Sequence, residues 1–131
     1  MMKPVPQITP LTRPYWDAAA SGELHVQSCA QCSRVFLFAR PWCPFCWAPE
    51  PKWKKVSGRG EVIACTIVTQ APYESYAQDG PYALAIIKLE EGPQLMTNIV
   101  NCPLEKVKVG IKVQAVFERR GDIVIPQFTP R

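Results

Sequence analysis

The sequence has little of what enzymes and membrane proteins require. Its 131 residues include a single histidine, His25, and no glycine-rich phosphate loop, and no serine lies in a nucleophile elbow. No apolar run approaches the roughly 20 residues of a membrane helix, and the first ten residues lack the apolar segment of a signal peptide. These absences argue against a chain that is catalytic on its own, and they predict a cytoplasmic protein whose function is binding.

The net positive charge of the chain lies in its first half. The net charge is +4, but residues 1–59 hold eight bases and three acids, whereas residues 60–131 hold seven bases and eight acids. Hydrophobic residues make up 47% of the chain, which is enough for a packed core. The basic half also contains four of the six cysteines. The composition therefore predicts two small modules of different character.

The four clustered cysteines form two C-x2-C pairs, Cys29/Cys32 and Cys43/Cys46, separated by ten residues. This layout is typical of a structural zinc ribbon, in which two turns each place two sulfurs at about 2.3 Å from one tetrahedral ion. Four protein ligands leave no open position for substrate, so the metal is predicted to be structural. Cys65 and Cys102 lie far from this cluster and are predicted to be buried small hydrophobic residues.

Other uses of these cysteines are less consistent with the sequence. Iron in a rubredoxin-like site is the main competitor, because iron also accepts four thiolates. Disulfides would need an oxidising compartment, to which nothing in the sequence points. A thioredoxin-like redox motif would need one C-x2-C beside a βαβ unit, and that pattern is absent.

A short helix is predicted before the ribbon, over residues 12–22. Thr12 is placed to cap its start, and Gly22 to end it. Tyr15 and Trp16 on this helix must be buried, either against the domain itself or against a partner chain. The sequence leaves these two possibilities open.

The second half alternates in five short strands separated by turn residues, which predicts an OB-fold barrel. The fold class is therefore mainly β: an N-terminal helical segment (1–23), a rubredoxin-like zinc ribbon (24–57) and a five-stranded OB-fold barrel (58–131). The predicted strands are Gly60–Thr69, Pro81–Leu89, Gln94–Val100, Lys112–Glu118 and Ile123–Phe128.

The first two barrel strands are apolar on both faces, whereas an isolated barrel should be polar outside. Simple alternation assigns one face to Val62, Ala64, Thr66 and Val68 and the other to Ile63, Cys65 and Ile67. In the second strand, alternation places Leu84 and Ile86 opposite Ala83, Ala85, Ile87 and Leu89. The outer surface is predicted to be covered, by the N-terminal segment or by another protein.

Two kinds of ligand are consistent with the basic half. Single-stranded nucleic acid would need stacking aromatics and bases on the second and third barrel strands, which offer only Tyr82 and Lys88. A small polyanion or an acidic protein surface could instead meet a basic cluster at the junction, unless that cluster is merely solvated. The cluster comprises Lys52, Lys54, Lys55 and Arg59, with Arg34 and Arg40 nearby in sequence. The connection over residues 70–80, with Tyr73 and Tyr76, is predicted either to close over a ligand or to be a plain loop.

Taken in order, several segments resemble the family of zinc-ribbon plus OB-fold acyl-CoA-associated proteins, long classed as a domain of unknown function. The resemblance covers roughly residues 12–130. The segments are RPYWDAAASGEL, CAQC, RPWCPFC, KWKKVSGRGEVIACTIV, GPYALAIIKLEEGPQLMTNIV, VKVGIKVQAVFE and IVIPQF.

The resemblance implies an accessory subunit of a thiolase-fold enzyme (thiolase, aldolase or acyltransferase type) that helps to bind or channel acyl-CoA, with the catalytic cysteine on the partner. Cys29, Cys32, Cys43 and Cys46 match the family's zinc ligands. The family often has glycine after the second cysteine of each pair, where this chain has Ser33 and Trp47.

Two further hypotheses follow from the implied role. The phosphates of coenzyme A are expected near Arg40, Lys54, Lys55 and Arg59, where cations would make charge-assisted hydrogen bonds. The partner enzyme is expected to cover Tyr15, Trp16, Ile63, Ile67, Leu84 and Ile86.

Overall fold

The structure, a computed structural model, describes residues 6–69 and 80–131. The predicted connection at residues 70–80 therefore lies, except for Gly80, outside the described residues. The described part is mostly β with one short α-helix, as predicted. Its elements are α1 (Arg13–Ala20), β1 (Leu24–Ser28), β2 (Val35–Phe36), β3 (Lys52–Val56), β4 (Arg59–Val68), β5 (Tyr82–Leu89), β6 (Gln94–Ile99), a 3-10 turn (Leu104–Lys106), β7 (Lys112–Arg120) and β8 (Ile123–Pro130).

Helix α1 begins and ends where the sequence predicts. Thr12 occupies the N-cap position without a capping bond, since its hydroxyl accepts a hydrogen bond from the backbone N–H of Thr9 (3.0 Å). At the other end Gly22 has φ +77°, and Glu23 N–H donates to the carbonyl of Ala18 at 2.9 Å. This is a Schellman ending, which glycine adopts at low cost.

The ribbon is built on a three-stranded antiparallel sheet in the order β2-β1-β3. Leu24 pairs with Val56 at one end of the sheet, and Ser28 pairs with Val35 and Lys52 at the other. The first cysteine pair follows β1 directly, and the second lies in the connection between β2 and β3. The sheet therefore brings two distant turns to the same end.

The second half closes into a barrel with strand order β4-β5-β6-β8-β7. Its neighbours are antiparallel except β6 and β8, which run parallel and pair at Ile99 and Phe128. Five strands closed in this order form an OB-fold, as the sequence predicts. Glycine is required at position 60, where β4 pairs with β5, because a Cβ there would lie 2.7 Å from the carbonyl oxygen of Lys88.

Simple alternation along β4 is wrong in its second half. Val62 pairs with Ile87, but the register shifts at a bulge, so that Ala64 pairs with Ile86 and Ile67 with Ala83. Directly opposed residues share a face, and Ala83 is buried. Ile67 therefore shares the face of Ala83, and Ile86 lies on the other face, which corrects the predicted grouping of these two residues. Ile67 is nevertheless 36% exposed.

The main core is continuous between the ribbon and the barrel. Leu24, Val26 and Val56 of the ribbon sheet belong to the same buried cluster as Val62, Ile87 and Phe128 of the barrel. A second, much smaller buried cluster surrounds the cysteines and consists of Cys29, Phe36, Cys43 and Ala48. The region around the cysteines therefore has little apolar burial of its own.

No helix in the described part of the chain has the length and apolar character that crossing a membrane requires.

Candidate metal centre and interaction surfaces

The four predicted ligands converge on one point. Their sulfurs all lie within 4.8 Å of one another, with 3.5 Å between Cys29 Sγ and Cys46 Sγ and 3.6 Å between Cys32 Sγ and Cys43 Sγ. Four sulfurs at about 2.3 Å from a shared ion would be roughly 3.8 Å apart. The site thus fits a tetrahedral tetrathiolate ion such as structural Zn²⁺, as predicted.

Backbone amides prepare these sulfurs for a cation. The N–H of Cys32 points at Cys29 Sγ (3.5 Å), and the N–H of Phe45 points at Cys43 Sγ (3.4 Å). The hydrogen bond from Cys32 is the first cause that lowers the pKa of Cys29, to about 7. Because metals bind the thiolate, this lowered pKa favours ligation by Cys29 near neutral pH. The backbone hydrogen bond from Ala48 lowers the pKa of Cys46, but the neighbouring sulfurs, Cys29 first, outweigh it and raise that pKa to about 12.

Both turns have left-handed backbone at the residue after the second cysteine. Ser33 has φ +63° and Trp47 has φ +66°, and their N–H groups donate to the carbonyls of Cys29 and Cys43, both at 2.9 Å. These are the two positions at which the sequence departs from glycine. A non-glycine residue in this region costs about 1–2 kcal/mol.

Gln27 ties the second cysteine turn to the ribbon sheet. It is buried on β1, and its side-chain NH₂ donates to the carbonyl of Arg40 (3.1 Å) while Arg40 N–H donates to its Oε1 (2.8 Å). The side-chain amide of Gln27 therefore makes the two hydrogen bonds with the backbone of Arg40 that a neighbouring strand would make. Sequence reasoning missed this residue, because its partner lies 13 positions away.

Replacing Gln27 should weaken the ribbon measurably. We expect Gln27→Met, which keeps the side-chain length, to lower the free energy of unfolding by about 1–3 kcal/mol, since both backbone groups of Arg40 lose their partner. Urea denaturation of zinc-loaded protein would measure this. The control is Gln114→Met on the exposed side of β7, expected to change stability by less than about 0.5 kcal/mol. Equal effects of the two variants would contradict the role given to Gln27.

An apolar groove of about 260 Å³ lies where α1, the ribbon and the barrel meet. Tyr15 packs on the main core and is partly exposed in the groove, and burial raises its pKa to about 12. Trp16 lies edge-on to Tyr15, with 4.8 Å between ring centroids, and remains partly exposed. The groove lining is Thr12, Tyr15, Trp16, Leu37, Phe38, Ala39, Trp53, Leu95, Met96, Ile125 and Pro126.

A second apolar depression lies on the outer face of β4, β5 and β6. Leu84 and Ile86 line it with Ala64 and Thr66, to which they are paired across the strands. Helix α1 packs mainly on β1 and β8, so it leaves this face open. Met96 lines both depressions and is 62% exposed. We call the two depressions, joined at Met96, the apolar strip.

Two members of the predicted basic cluster, Lys54 and Lys55, lie on opposite faces of the ribbon sheet. Lys54 pairs with Val26 and Lys55 with His25, and adjacent strand residues point to opposite faces. Lys55 also forms an ion pair with Glu23 (3.3 Å). The pKa of Glu23 is lowered, first by its hydrogen bond with His25 and then by Lys55. This separation could have been predicted, because it follows from assigning these lysines to a strand.

Arg59, at the start of β4, lies beside the turn between β5 and β6 and is exposed. Glu90 N–H donates to the carbonyl of Arg59 (3.0 Å), and Glu91 accepts from Ser57 N–H (2.9 Å). The two acids thus hold the link between ribbon and barrel. Arg40 is exposed before the second cysteine pair.

Three exposed aromatic side chains surround the second cysteine pair, and we call them the knuckle aromatics: Trp42, Phe45 and Trp47. Their exposed fractions are 46%, 51% and 71%. The indoles of Trp42 and Trp47 stack, with 6.1 Å between centroids and 23° between planes. Sequence reasoning gave them no role, although the segment RPWCPFCW displays them.

A tetrathiolate ribbon on a short sheet, fused to an OB-fold barrel through a common core, defines the class of protein. Two family models divide the chain accordingly: residues 16–51 match "ChsH2, rubredoxin-like zinc ribbon domain", and residues 53–118 match "ChsH2, C-terminal OB-fold domain". The chain belongs to this ChsH2 family, also called DUF35.

Three similar proteins illustrate the family's range. A DUF35 domain-containing scaffold protein of Methanocaldococcus jannaschii is 39% identical over 92 residues, which cover 70% of this chain and 64% of that protein. A probable enoyl-CoA hydratase alpha subunit of Thermomonospora curvata is 27% identical over 98% of this chain but only 40% of its own length. The solved structure "Ltp2-ChsH2(DUF35) aldolase" has a TM-score of 0.85 and 26% identity, covering 96% of this chain and 98% of that one.

Proposed function

We propose that the chain is a non-catalytic accessory subunit that binds a thiolase-fold, acyl-CoA-processing enzyme. The apolar strip carries this proposal. It runs without interruption from Trp16 across Met96 to Leu84 and Ile86, and large contiguous apolar patches on a folded protein mark interaction sites. Among the described residues, the metal site is closed to substrate by its four protein ligands, and no nucleophile is placed beside a base.

The similar proteins support this kind of partner. The name of one relative calls it a scaffold protein, and the matched solved chain comes from an assembly that its name calls an aldolase. In the Thermomonospora protein, a segment like this chain is part of a probable enoyl-CoA hydratase subunit. We therefore place the chain beside an enzyme that acts on acyl-CoA, with the reaction on the partner.

Of the four cations proposed for coenzyme A phosphates, the structure favours three. Lys55 is engaged by Glu23, whereas Arg40, Lys54 and Arg59 are exposed and form no ion pair within the described ranges. They belong to three parts of the chain, namely the connection before the second cysteine pair, β3 and the start of β4. Their contribution is electrostatic attraction rather than a preformed phosphate pocket.

Co-expression with thiolase-like proteins encoded beside the gene tests the proposal. We expect a stable hetero-oligomer whose acyl-CoA turnover exceeds that of the enzyme alone. A chain that stays a monodisperse monomer and binds no thiolase-like protein would defeat it. Exclusive association with a hydratase subunit would favour the second candidate, an accessory subunit of an enoyl-CoA hydratase. Salt-dependent binding to single-stranded oligonucleotides, in place of protein association, would favour a nucleic-acid module.

A further inference from the structure

The four ligating cysteines differ in how far solvent reaches them. Cys29 and Cys43 are buried, with 5% and 0% of their surface exposed, whereas Cys32 is half-buried and Cys46 is exposed. Cys46 is followed by Trp47, which is 71% exposed, so the second turn presents this ligand at the surface of the protein. A dissolved oxidant therefore meets one cysteine of the cluster before the others.

Each accessible cysteine lies against a buried cysteine of the other turn. Cys46 Sγ is 3.5 Å from Cys29 Sγ, and Cys32 Sγ is 3.6 Å from Cys43 Sγ. The cluster thus contains two pairs that join the turns, and each pair has one cysteine that an oxidant can reach and one buried cysteine beside it. A solvent-accessible cysteine next to a second, resolving cysteine is the arrangement that redox-sensing sites use.

The two remaining cysteines provide a comparison within the same chain. Cys65 is half-buried, and its Sγ lies 3.9 Å from the carbonyl oxygen of Val107. Cys102 is also half-buried, and its Sγ lies 3.4 Å from the carbonyl oxygen of Pro103. Both sulfurs thus contact a backbone oxygen, and neither belongs to the metal cluster. They serve as internal controls for the chemistry of the cluster.

We propose that the cysteine cluster is a reversible oxidation site for hydrogen peroxide, which links Cys46 to Cys29 and Cys32 to Cys43 and frees the metal ion. Metals bind the thiolate, so all four sulfurs of the loaded site carry the electron pair that attacks a peroxide. The thiolate of Cys46 takes one oxygen atom and becomes a sulfenic acid, and hydroxide leaves. The thiolate of Cys29 then attacks that sulfur, which forms the S–S bond and expels a second hydroxide.

Atoms and electrons balance without a further reagent. Each disulfide takes two electrons from two thiolates and reduces one hydrogen peroxide to two hydroxide ions, so two peroxides convert the whole cluster. Each disulfide also removes two ligands, so the ion has no site once both have formed. A thiol reductant reverses the change by returning two electrons to each disulfide. Such disulfides are transient, unlike the structural disulfides of secreted proteins.

The oxidised state should differ from the state that chelation produces. Both states lack the ion, but in the oxidised state two covalent bonds join the cysteine turns in place of four metal ligands. We therefore expect hydrogen exchange to show retained protection of residues 29–51 after oxidation. The reduced, metal-free chain should lose that protection, because its turns have little apolar burial of their own.

Titration of the zinc-loaded full chain with hydrogen peroxide tests the proposal. A zinc-binding dye measures the released metal, a thiol reagent in denaturant counts free cysteines, and tandem mass spectrometry of peptides maps the disulfides. We expect two peroxides to release one zinc ion and to leave two of the six cysteines free, Cys65 and Cys102. Trypsin cleaves after Arg34, between the two cysteine pairs, so links across the turns hold two peptides together. Excess reductant with zinc should restore the loaded site.

Single substitutions test the proposed connectivity. Cys46→Ser should leave Cys29 as a free thiol and keep only the disulfide between Cys32 and Cys43. This mapping does not depend on metal content, so a weaker affinity of the variant for zinc does not obscure it. Cys102→Ser is the matched control, and it should release zinc and form both disulfides as the unaltered chain does.

Three results would overturn the proposal. The first is any other pairing of the four cysteines, such as a disulfide within each turn. The second is sulfinic acid in place of disulfides, and the third is retained zinc with all cysteines free under excess peroxide. None of these results depends on a partner enzyme, so failure here is distinguishable from failure of the co-expression experiment.

Discussion

Removing the metal is expected to unfold the cysteine turns while leaving the barrel folded. The buried cluster around the cysteines has only four members, Cys29, Phe36, Cys43 and Ala48, whereas metal binding contributes about 10–16 kcal/mol in small zinc domains. The strands at the base of the ribbon share the main core with the barrel. Hydrogen exchange after chelation under reducing conditions should therefore show lost protection between residues 29 and 51 and retained protection in β4–β8.

Single substitutions provide the matched comparison. Cys43→Ser removes a buried ligand and should reproduce the chelated state, whereas Cys102→Ser, outside the cluster, should keep full metal content. Acidification should act in the same direction as chelation, because protons compete with the metal for the thiolates. Retained protection of residues 29–51 in metal-free protein would show that the ribbon does not depend on its ion.

Met96→Asp is expected to abolish association with the proposed partner enzyme while the chain stays folded. Met96 is 62% exposed, so its replacement should change the free energy of unfolding by less than about 0.5 kcal/mol. In a complex that covers the apolar strip, however, the new carboxylate would be desolvated without a counter-charge. Such burial costs at least about 3 kcal/mol, more than a hundredfold in affinity.

Val109→Asp is a close control, since Val109 is 65% exposed and lines neither depression of the strip. Co-purification and analytical ultracentrifugation should show complex formation for Val109→Asp and none for Met96→Asp. Equal binding by both variants would place the interface elsewhere, and equal loss would indicate a non-specific effect of negative charge.

If both results hold, the two halves of the molecule have separable tasks. The barrel and α1 provide the apolar surface for the enzyme, and the metal ion holds a basic, aromatic turn in place. Loss of metal would then have little effect on association, because Met96, Leu84 and Ile86 belong to the barrel.

Much of this protein follows from short-range sequence patterns. The cysteine spacing determines the metal site, because each pair needs only its own turn to aim two sulfurs at one point. The alternation of strands and turns predicts the five strands of the OB-fold, since the hairpins β5–β6 and β7–β8 are local. The ending of α1 at Gly22 likewise depends on neighbouring residues alone.

Other features depend on contacts between distant parts of the chain, and only the tertiary structure shows them. The bulge in β4 puts Ile67 on the face of Ala83, and the position of the bulge is set by pairing with β5, which follows after a long connection. The contact between Gln27 and Arg40 arises only when the ribbon folds on itself. The place of Met96 between the two depressions arises only when the ribbon, α1 and the barrel are packed together. The sequence by itself determined the metal ligands and the fold. The packing of the modules decided which surface depressions adjoin one another. The reason is that this packing depends on pairing between distant strands, which no local pattern encodes.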